Sequence, residues 1–331
     1  MKRIAINGFG RIGRLTYRAL AERPDIEVVA INDLTDIPTL AHLLEYDTAQ
    51  GRFDKNIGHH PDSILVNGQK LLAFSQKDPK NLPWKDLQID VVLECTGVFL
   101  TRAAAQSHID AGARKVILSA PPKDSDIPTF VTWVNDDALQ PGDHIVSNAS
   151  CTTNCLAVVL KVLHENYGVS FASMNTIHAF TQDQRLQDAP HKDLRRARAA
   201  SMNIIPTSTG AGSAVEAVYP AIKGKLMASS YRVPIITGSL IELVCKLDKS
   251  PTVDAVNALF KQYAQNQLRG ILEYTEKPLV STDIIGNSHS AVFDALLTHV
   301  SNGFLKVVAW YDNEAGYSAR LADMCEKFAK L

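Results

Sequence analysis

The stretch Gly8-Phe9-Gly10-Arg11-Ile12-Gly13 has the spacing GxGxxG, and its flanks constrain the fold more than any other part of the chain. An extended apolar run, residues 3–7, leads into it, and an amphipathic helical pattern follows from residue 11 to about 22. A second extended run, residues 27–31, ends at Asn32-Asp33, which places an acid 20 residues beyond Gly13. Strand, glycine turn, helix, strand and acid in this order predict a βαβ unit. Gly8, Gly10 and Gly13 then permit a tight turn, close approach of backbone to a pyrophosphate, and close helix–strand packing, with the helix N-terminus holding the phosphates. The same glycines fit a plain turn in any α/β protein; the acid and the two strands weigh toward a dinucleotide. A carboxylate at the ribose hydroxyl repels a 2′-phosphate, so Asp33 points to NAD rather than NADP.

The rest of the first half alternates strand and helix. Residues 90–95 have a continuous apolar centre, as a buried parallel strand requires, and Thr96-Gly97 stands at its carboxyl end, where open α/β sheets bind ligands. Residues 102–111 read as helix, and 115–119, 130–134 and 144–147 as strands, with Pro121-Pro122 and Pro141-Gly142 as loop punctuation. His59 and His60 fall in what reads as a polar loop and are taken as solvated; no metal site is expected. Beyond residue 150 the strands lengthen and alternate (170–180, 227–233, 239–246, 305–311), with helices at 211–219 and 252–265. That pattern predicts an α+β layer on an antiparallel or mixed sheet, with a boundary near residues 148–150 and no flexible linker.

At that boundary stands Ser150-Cys151-Thr152-Thr153-Asn154-Cys155. Leu156, Val159, Leu160 and Leu163 have helical spacing, and Ser150 suits the N-cap. Cys151 is then the first residue of a helix, where free N–H groups and the dipole favour a thiolate. This makes Cys151 a candidate nucleophile, although a buried structural thiol also fits the position.

Composition narrows the function classes. The chain has 331 residues, enough for two domains. Its 46% hydrophobic and 21% charged content is that of an ordinary globular protein, and a net charge of −1 provides no field for nucleic acid or membrane. Five cysteines form no disulfide framework and fit a reducing compartment. No apolar run approaches the length of a membrane span, and the start of the chain reads as strand rather than signal segment. A cytoplasmic location is the expectation.

His178 follows an extended run, 27 residues beyond Cys151. A Cys–His pair generates a nucleophile and supplies a proton acceptor, though a lone strand histidine is more often structural. Thr181, Thr209, Gly210 and Arg232 offer hydroxyls, a backbone amide and a guanidinium, which together suit a phosphate. The basic run Lys192-Asp193-Leu194-Arg195-Arg196-Ala197-Arg198 reads as a solvated or subunit-contact segment. It lacks the interleaved aromatics of a nucleic-acid surface.

These stretches resemble the phosphorylating glyceraldehyde-3-phosphate dehydrogenases. The resemblance runs from INGFGRIGR at residue 6 through SNASCTTNC at 147, His178 with Thr181, HKDLRRARAA at 191, IIPTSTGA at 204 and RVP at 232 to WYDNE-GYS at 310–318. It implies a Rossmann-type parallel-sheet NAD domain over residues 1–149 and an α+β catalytic domain over 150–315. The last helix, from about 316, returns to the first domain. It implies that Cys151 attacks D-glyceraldehyde 3-phosphate, with His178 as base, and that inorganic phosphate releases 1,3-bisphosphoglycerate from a thioester. Ser150, Thr152, Thr209 and Gly210 are implied to hold inorganic phosphate, and Thr181 and Arg232 the substrate's own phosphate, with Arg196 near both. Arg11, Ile12, Asp33, Lys77, Thr96, Gly97, Ser119, Asn313 and Tyr317 are implied to line NAD. A homotetramer is implied, with residues 181–203 at a subunit interface.

The sequence departs from the family pattern at two places. Ala315 stands where members usually carry Trp, and the stretch Ile235-Ile236-Thr237-Gly238-Ser239 after Arg232 stands where Asn-Val-Ser is common. Ala189-Pro190 retains the proline of NAD-preferring members. Two other readings stay open on sequence: erythrose-4-phosphate dehydrogenase, a relative that does not phosphorylate, and a non-catalytic NAD-binding redox sensor built on Cys151.

Overall fold

The computed structural model describes all 331 residues. They form two compact units. One comprises residues 1–132, 136–149 and 318–331, and the other residues 133–135 and 150–317.

The first unit is built on β1 (Lys2–Asn7), α1 (Arg11–Leu20), β2 (Ile26–Asn32), α2 (Ile37–Glu45), β3 (Ile57–His60), β4 (Ser63–Val66), β5 (Gln69–Phe74), β6 (Val91–Glu94), α3 (Arg102–Asp110), β7 (Lys115–Leu118) and β8 (Ile145–Ser147). Its sheet has the order β3-β4-β5-β2-β1-β6-β7-β8. The six strands from β5 to β8 are parallel, and β3 and β4 add an antiparallel edge beyond β5. Counted along the chain, the parallel strands run 3-2-1-4-5-6, the order of dinucleotide-binding sheets, with the switch point between β1 and β6. The core explains the alternation of elements. Ala5, Ala30, Val92, Val116 and Ile145 from the strands meet Trp84 and Ala105 in one buried cluster. Each large apolar side chain so buried contributes roughly 1.5–3 kcal/mol.

Two expectations fail in this unit. Residues 130–134 are not a strand: pairing is limited to one parallel bridge from Thr129 to Ser147, and Trp133, with φ of 70°, turns the chain. Phe130, Val131 and Val134 are apolar because they are buried, not because they pair. His59 and His60 lie on β3 of a hairpin rather than in a loop; both are exposed. No group of three or more His, Cys, Asp or Glu is arranged to hold a metal ion.

The second unit contains α4 (Cys151–Tyr167), β9 (Val169–Ala179), β10 (Ile205–Thr207), α5 (Ala211–Val218), β11 (Leu226–Val233), β12 (Ser239–Leu247), α6 (Val253–Gln265), β13 (Leu272–Thr275), β14 (Ala291–Asp294), β15 (His299–Ser301) and β16 (Phe304–Tyr311). Its mixed sheet runs β10-β11-β9-β12-β16-β14-β13, with β15 paired to β16. Register sets the candidate site residues beside one another. Arg232 on β11 lies beside His178 on β9, and Ile205 on β10 beside Arg232. Ser239 on β12 lies beside Tyr311 on β16. Helix α4 packs on β9, β12, β14, β16 and α5. Its residues 152–160 are all buried, a wider face than the apolar stripe alone indicates.

The final helix, α7 (Ala315–Lys330), starts in the second unit and continues in the first. There Asp323 and Glu326 pair with Arg23, and Lys115 donates to the Phe328 carbonyl at 2.9 Å. No helix is long and apolar enough to cross a membrane.

Candidate active site

The first unit presents a cradle at the carboxyl ends of its parallel strands. Gly8 adopts φ of +92°, and a Cβ there would stand 2.6 Å from the Thr96 nitrogen; a Cβ on Gly13 would stand 2.1 Å from the Gly8 oxygen. Both positions therefore require glycine. Gly10 differs: nothing lies within 4 Å of where its Cβ would be, and as N-cap of α1 it has no side-chain cap. The N-cap residue thus offers no side-chain acceptor to the start of α1, and the space beside it is open, which fits a diphosphate. Asp33 follows β2 and its carboxylate accepts from the Phe9 N–H at 2.8 Å and the Thr35 N–H at 3.0 Å. Thr96 and Gly97 form an exposed turn after β6, and Ser119 follows β7. Arg11 pairs with Asp47, Ile12 is half-buried, and Lys77 lies in the exposed segment after β5. The residues present fit a bound dinucleotide.

In the second unit Cys151 opens α4. The Ser150 Oγ caps the helix by accepting from the Thr153 N–H at 3.1 Å. Cys151 is half-buried, and its Sγ lies 3.4 Å from the His178 Nε2. On the other side of the ring, Nδ1 is 2.7 Å from the Ala179 carbonyl and also touches the Arg232 Nη1. The tautomer that leaves Nε2 free to accept the thiol proton places a proton on Nδ1, where the Ala179 carbonyl accepts it; Arg232 Nη1, which only donates, then makes no hydrogen bond to Nδ1. Arg232 Nη1 donates to the same carbonyl at 3.1 Å.

The protonation states differ from the expectation drawn from the helix start. Burial pushes the Cys151 thiol above its ordinary value; Arg232 and hydrogen bonds at the start of α4 pull the other way without winning. Burial, followed by Arg232, lowers His178 to about 3. Both shifts favour the neutral thiol and neutral imidazole over the thiolate and imidazolium. An unprotonated Nε2 at 3.4 Å from the sulfur is placed where it can take the thiol proton. All five cysteines are free, and burial raises Cys95 and Cys245 to about 12.

The anion-binding candidates lie on neighbouring elements of this unit. Gly210 caps α5 without a side-chain bond, and Thr209 Oγ1 accepts from the Ala211 N–H at 3.1 Å. Arg196 spans to the same segment: Nε donates to Thr207 Oγ1 at 2.6 Å and Nη2 to the Ser208 carbonyl at 3.2 Å, while Nη1 pairs with Asp183. The Thr181 N–H donates to Gln184 Oε1 at 2.8 Å. Thr152 Oγ1 lies 2.9 Å from the Tyr311 hydroxyl.

Comparison with known proteins gives the family of the chain. Residues 2–102 match the family model for the glyceraldehyde 3-phosphate dehydrogenase NAD binding domain, and residues 150–313 match that for its C-terminal domain. The chain is 51% identical to the glyceraldehyde-3-phosphate dehydrogenase of Geobacillus stearothermophilus over 329 residues, 99% of this chain and 98% of that one. It is 53% identical to that of Mycolicibacterium smegmatis over 330 residues, 97% of each. The chain belongs to the glyceraldehyde-3-phosphate dehydrogenase family.

Asn313 and Tyr317, which the resemblance names, are buried, and so are Ser239, Tyr311 and Arg14, which it does not name. Asn313 is buried, and its Oδ1 accepts from the Ser239 hydroxyl at 2.8 Å, leaving the amide nitrogen as its donor. The same Ser239 oxygen accepts from the Ala179 N–H at 3.1 Å, which ties Asn313 to the strand of His178. Tyr317, also buried, lies one turn along from Asn313 in α7. Tyr311 is buried beneath the His178 ring, edge-on at 5.9 Å between centroids. Its hydroxyl joins Thr152 to Thr176 at 2.9 and 2.8 Å, and Thr176 donates to the Leu240 carbonyl at 3.0 Å. Arg14, buried beside the glycine turn, donates to the Phe9 carbonyl at 2.9 Å. Alternation on β12 and β16 marks Ser239 and Tyr311 as inward-facing; nothing in their residue types marks them as partners.

Proposed function

We propose that this protein is an NAD-dependent phosphorylating dehydrogenase that converts D-glyceraldehyde 3-phosphate and inorganic phosphate to 1,3-bisphosphoglycerate. The observation that carries the roles is the 3.4 Å approach of the Cys151 Sγ to the His178 Nε2. Identity above 50% to proteins named for this reaction supports the substrate.

The chemistry follows from the neutral pair. His178 Nε2 takes the thiol proton as Cys151 attacks the aldehyde carbon, and returns it to the carbonyl oxygen, giving a hemithioacetal. Neutral again, His178 accepts the hydroxyl proton as that carbon is oxidised to a thioester. Bound NAD supplies the hydride acceptor for this oxidation. N–H donors at the start of α4 stabilise the developing oxyanion, at roughly 3–4 kcal/mol per donor. Inorganic phosphate then attacks the thioester carbon, the Cys151 sulfur leaves, and protonated His178 restores its proton. The thioester matters because it retains the oxidation energy that direct hydration would dissipate.

The anion positions are assigned within this reading. Arg232 and Thr181 hold the substrate's phosphate, and Ser150, Thr152, Thr209 and the N–H of Gly210 hold inorganic phosphate, with Arg196 between them. Leu186, Leu194, Met202 and Ile204 are exposed large apolar side chains on and just beyond the segment 181–203. They support burial of that segment between subunits of a homotetramer. Five free cysteines accord with the cytoplasm. The decisive experiment is an NADH-forming assay with glyceraldehyde 3-phosphate, with and without phosphate, beside one with erythrose 4-phosphate. The reading requires phosphate-dependent turnover on the three-carbon aldehyde, abolished in Cys151→Ser. Phosphate-independent turnover, or preference for the four-carbon sugar, would overturn it.

A further inference from the structure

We propose that Glu94, wholly buried at the end of β6, is a positioning residue that sets the dinucleotide cradle; this rests on reading the glycine turn as that cradle. Glu94, His108 and Trp84 are fully shielded from solvent, and Asn7 is 1% exposed. Four donors converge on the Glu94 carboxylate. Asn7 Nδ2 is at 2.5 Å, His108 Nε2 at 3.1 Å and the Thr96 N–H at 2.8 Å; the Thr96 hydroxyl is the fourth. An indole N–H only donates, so the Trp84 Nε1 at 3.1 Å from His108 Nδ1 fixes that nitrogen as acceptor. The ring proton is then on Nε2, facing Glu94. On the other side, Asn7 Oδ1 accepts from Asn32 Nδ2 at 2.7 Å, and Asn32 exchanges two hydrogen bonds with the backbone of Gln76 at 2.8 and 2.9 Å.

The members of this network are neighbours of the cradle residues in sequence. Asn7 precedes Gly8, Asn32 precedes Asp33, and Glu94 lies two residues before Thr96. The Gly8 N–H also donates to the Asn32 carbonyl at 2.8 Å, and the Cys95 N–H to the Asn7 carbonyl at 2.7 Å. One carboxylate therefore locks the ends of β1, β2 and β6 to α3 and fixes the Thr96 backbone on which Gly8 rests. A buried polar cluster without full partners is costly. Apolar residues at these positions could fill the core, but they could not hold three strand ends in one register with the turn after β6. No amide can replace the carboxylate: with four donors aimed inward, a glutamine NH2 must oppose at least one.

Calorimetric titration of the full-length protein with NAD, alongside steady-state kinetics and a melting curve, tests this. Glu94→Gln is expected to raise the NAD Kd about tenfold, the size of one lost charge-assisted hydrogen bond. At saturating NAD, kcat and the KM for the aldehyde stay within about twofold of wild type, because the Cys151–His178 pair is untouched. Hydrogen exchange at the Thr96 amide should accelerate in the same variant. A lower melting temperature with an unchanged NAD Kd would overturn the proposal and leave Glu94 a stability residue only. If Glu94→Gln does not fold, Trp84→Phe removes the donor that fixes the His108 tautomer and also leaves a core cavity, so the melting curve reads the packing loss and the NAD Kd reads the cradle. A severalfold rise in the NAD Kd is then expected, and an unchanged value would overturn the proposal. Failure of the wild-type protein to bind NAD would remove the cradle itself, a distinct result.

Discussion

Cys151 and His178 meet at 3.4 Å as a neutral thiol and a neutral base, with Arg232 against the far side of the imidazole. Burial raises the thiol and lowers the imidazole, and Arg232 lowers both. The sign follows directly. Above about pH 3 His178 is unprotonated, so it contributes no titration in the neutral range. Alkylation of Cys151 by iodoacetamide, without substrate, should climb through pH 7 to 9 toward or beyond the ordinary thiol value of about 8.5. In Arg232→Gln the cation that draws the thiol down is gone, so the profile moves to higher pH. A rate already saturated below pH 7 would show that the resting sulfur is a thiolate.

His178→Asn should separate binding from chemistry. Asparagine can still accept a hydrogen bond but does not take up a proton near neutrality, so kcat falls by about 10²–10⁴. The KM for glyceraldehyde 3-phosphate changes little, because Arg232 and Thr181 remain. A loss confined to KM would mean that the imidazole binds substrate rather than moving its proton.

Local pattern carried much of this molecule. The βαβ unit was legible because its glycines, helix and acid obey fixed spacings, and Cys151 because a good cap precedes a strong helical period. What was not legible depends on the third dimension. Nothing in an isolated sequence reveals that burial outweighs the helix start at the Cys151 sulfur, since the neighbours that bury it come from distant strands. The apolar residues at 130–134 imitate a strand yet fill a turn, because burial and pairing favour the same residue types. Glu94 reads as the polar end of a strand; the four donors around it come from Asn7, His108 and Thr96.

Asp33 should govern the choice between NAD and NADP. Its carboxylate is held at the glycine turn by the Phe9 and Thr35 N–H groups. Asp33→Ser removes the charge that opposes a 2′-phosphate, so the ratio of kcat/KM for NADP over NAD should rise by roughly tenfold or more. NAD binding weakens at the same time, because two backbone donors lose their acceptor. An unchanged ratio would assign the discrimination elsewhere.

One departure from the family pattern has a steric cause. Gly238 has φ of +89°, and a Cβ there would stand 2.2 Å from the Ser281 carbonyl oxygen. Gly238→Ala should lower stability to urea by more than about 1 kcal/mol, the scale at which a strained left-handed residue persists only with help from its surroundings. Thr237 and Ser239, on either side, bond to Asp312 and Asn313. The same variant should therefore weaken NAD binding more than substrate binding. Retention of full stability would show that the Ser281 backbone can move away.

Tyr311 provides the test of how the floor of the site is held. Its hydroxyl lies between Thr152 and Thr176, and Thr176 donates onward to the Leu240 carbonyl. With that last bond fixing the direction, Tyr311 donates to Thr176 and Thr152 donates to Tyr311. Tyr311→Phe preserves the ring against His178 but takes from the buried Thr152 hydroxyl its near acceptor at 2.9 Å, leaving the Cys151 Sγ at 4.0 Å. The expected cost is about 1–3 kcal/mol in urea unfolding, and Thr152→Val should cost less in the Tyr311→Phe background than in wild type. That non-additivity is the signature of a shared hydrogen bond. Because Thr152 adjoins Cys151 and is assigned to inorganic phosphate, Tyr311→Phe should also raise the KM for phosphate more than that for the aldehyde. Equal and additive losses would reduce the Tyr311 hydroxyl to a bystander in the packing.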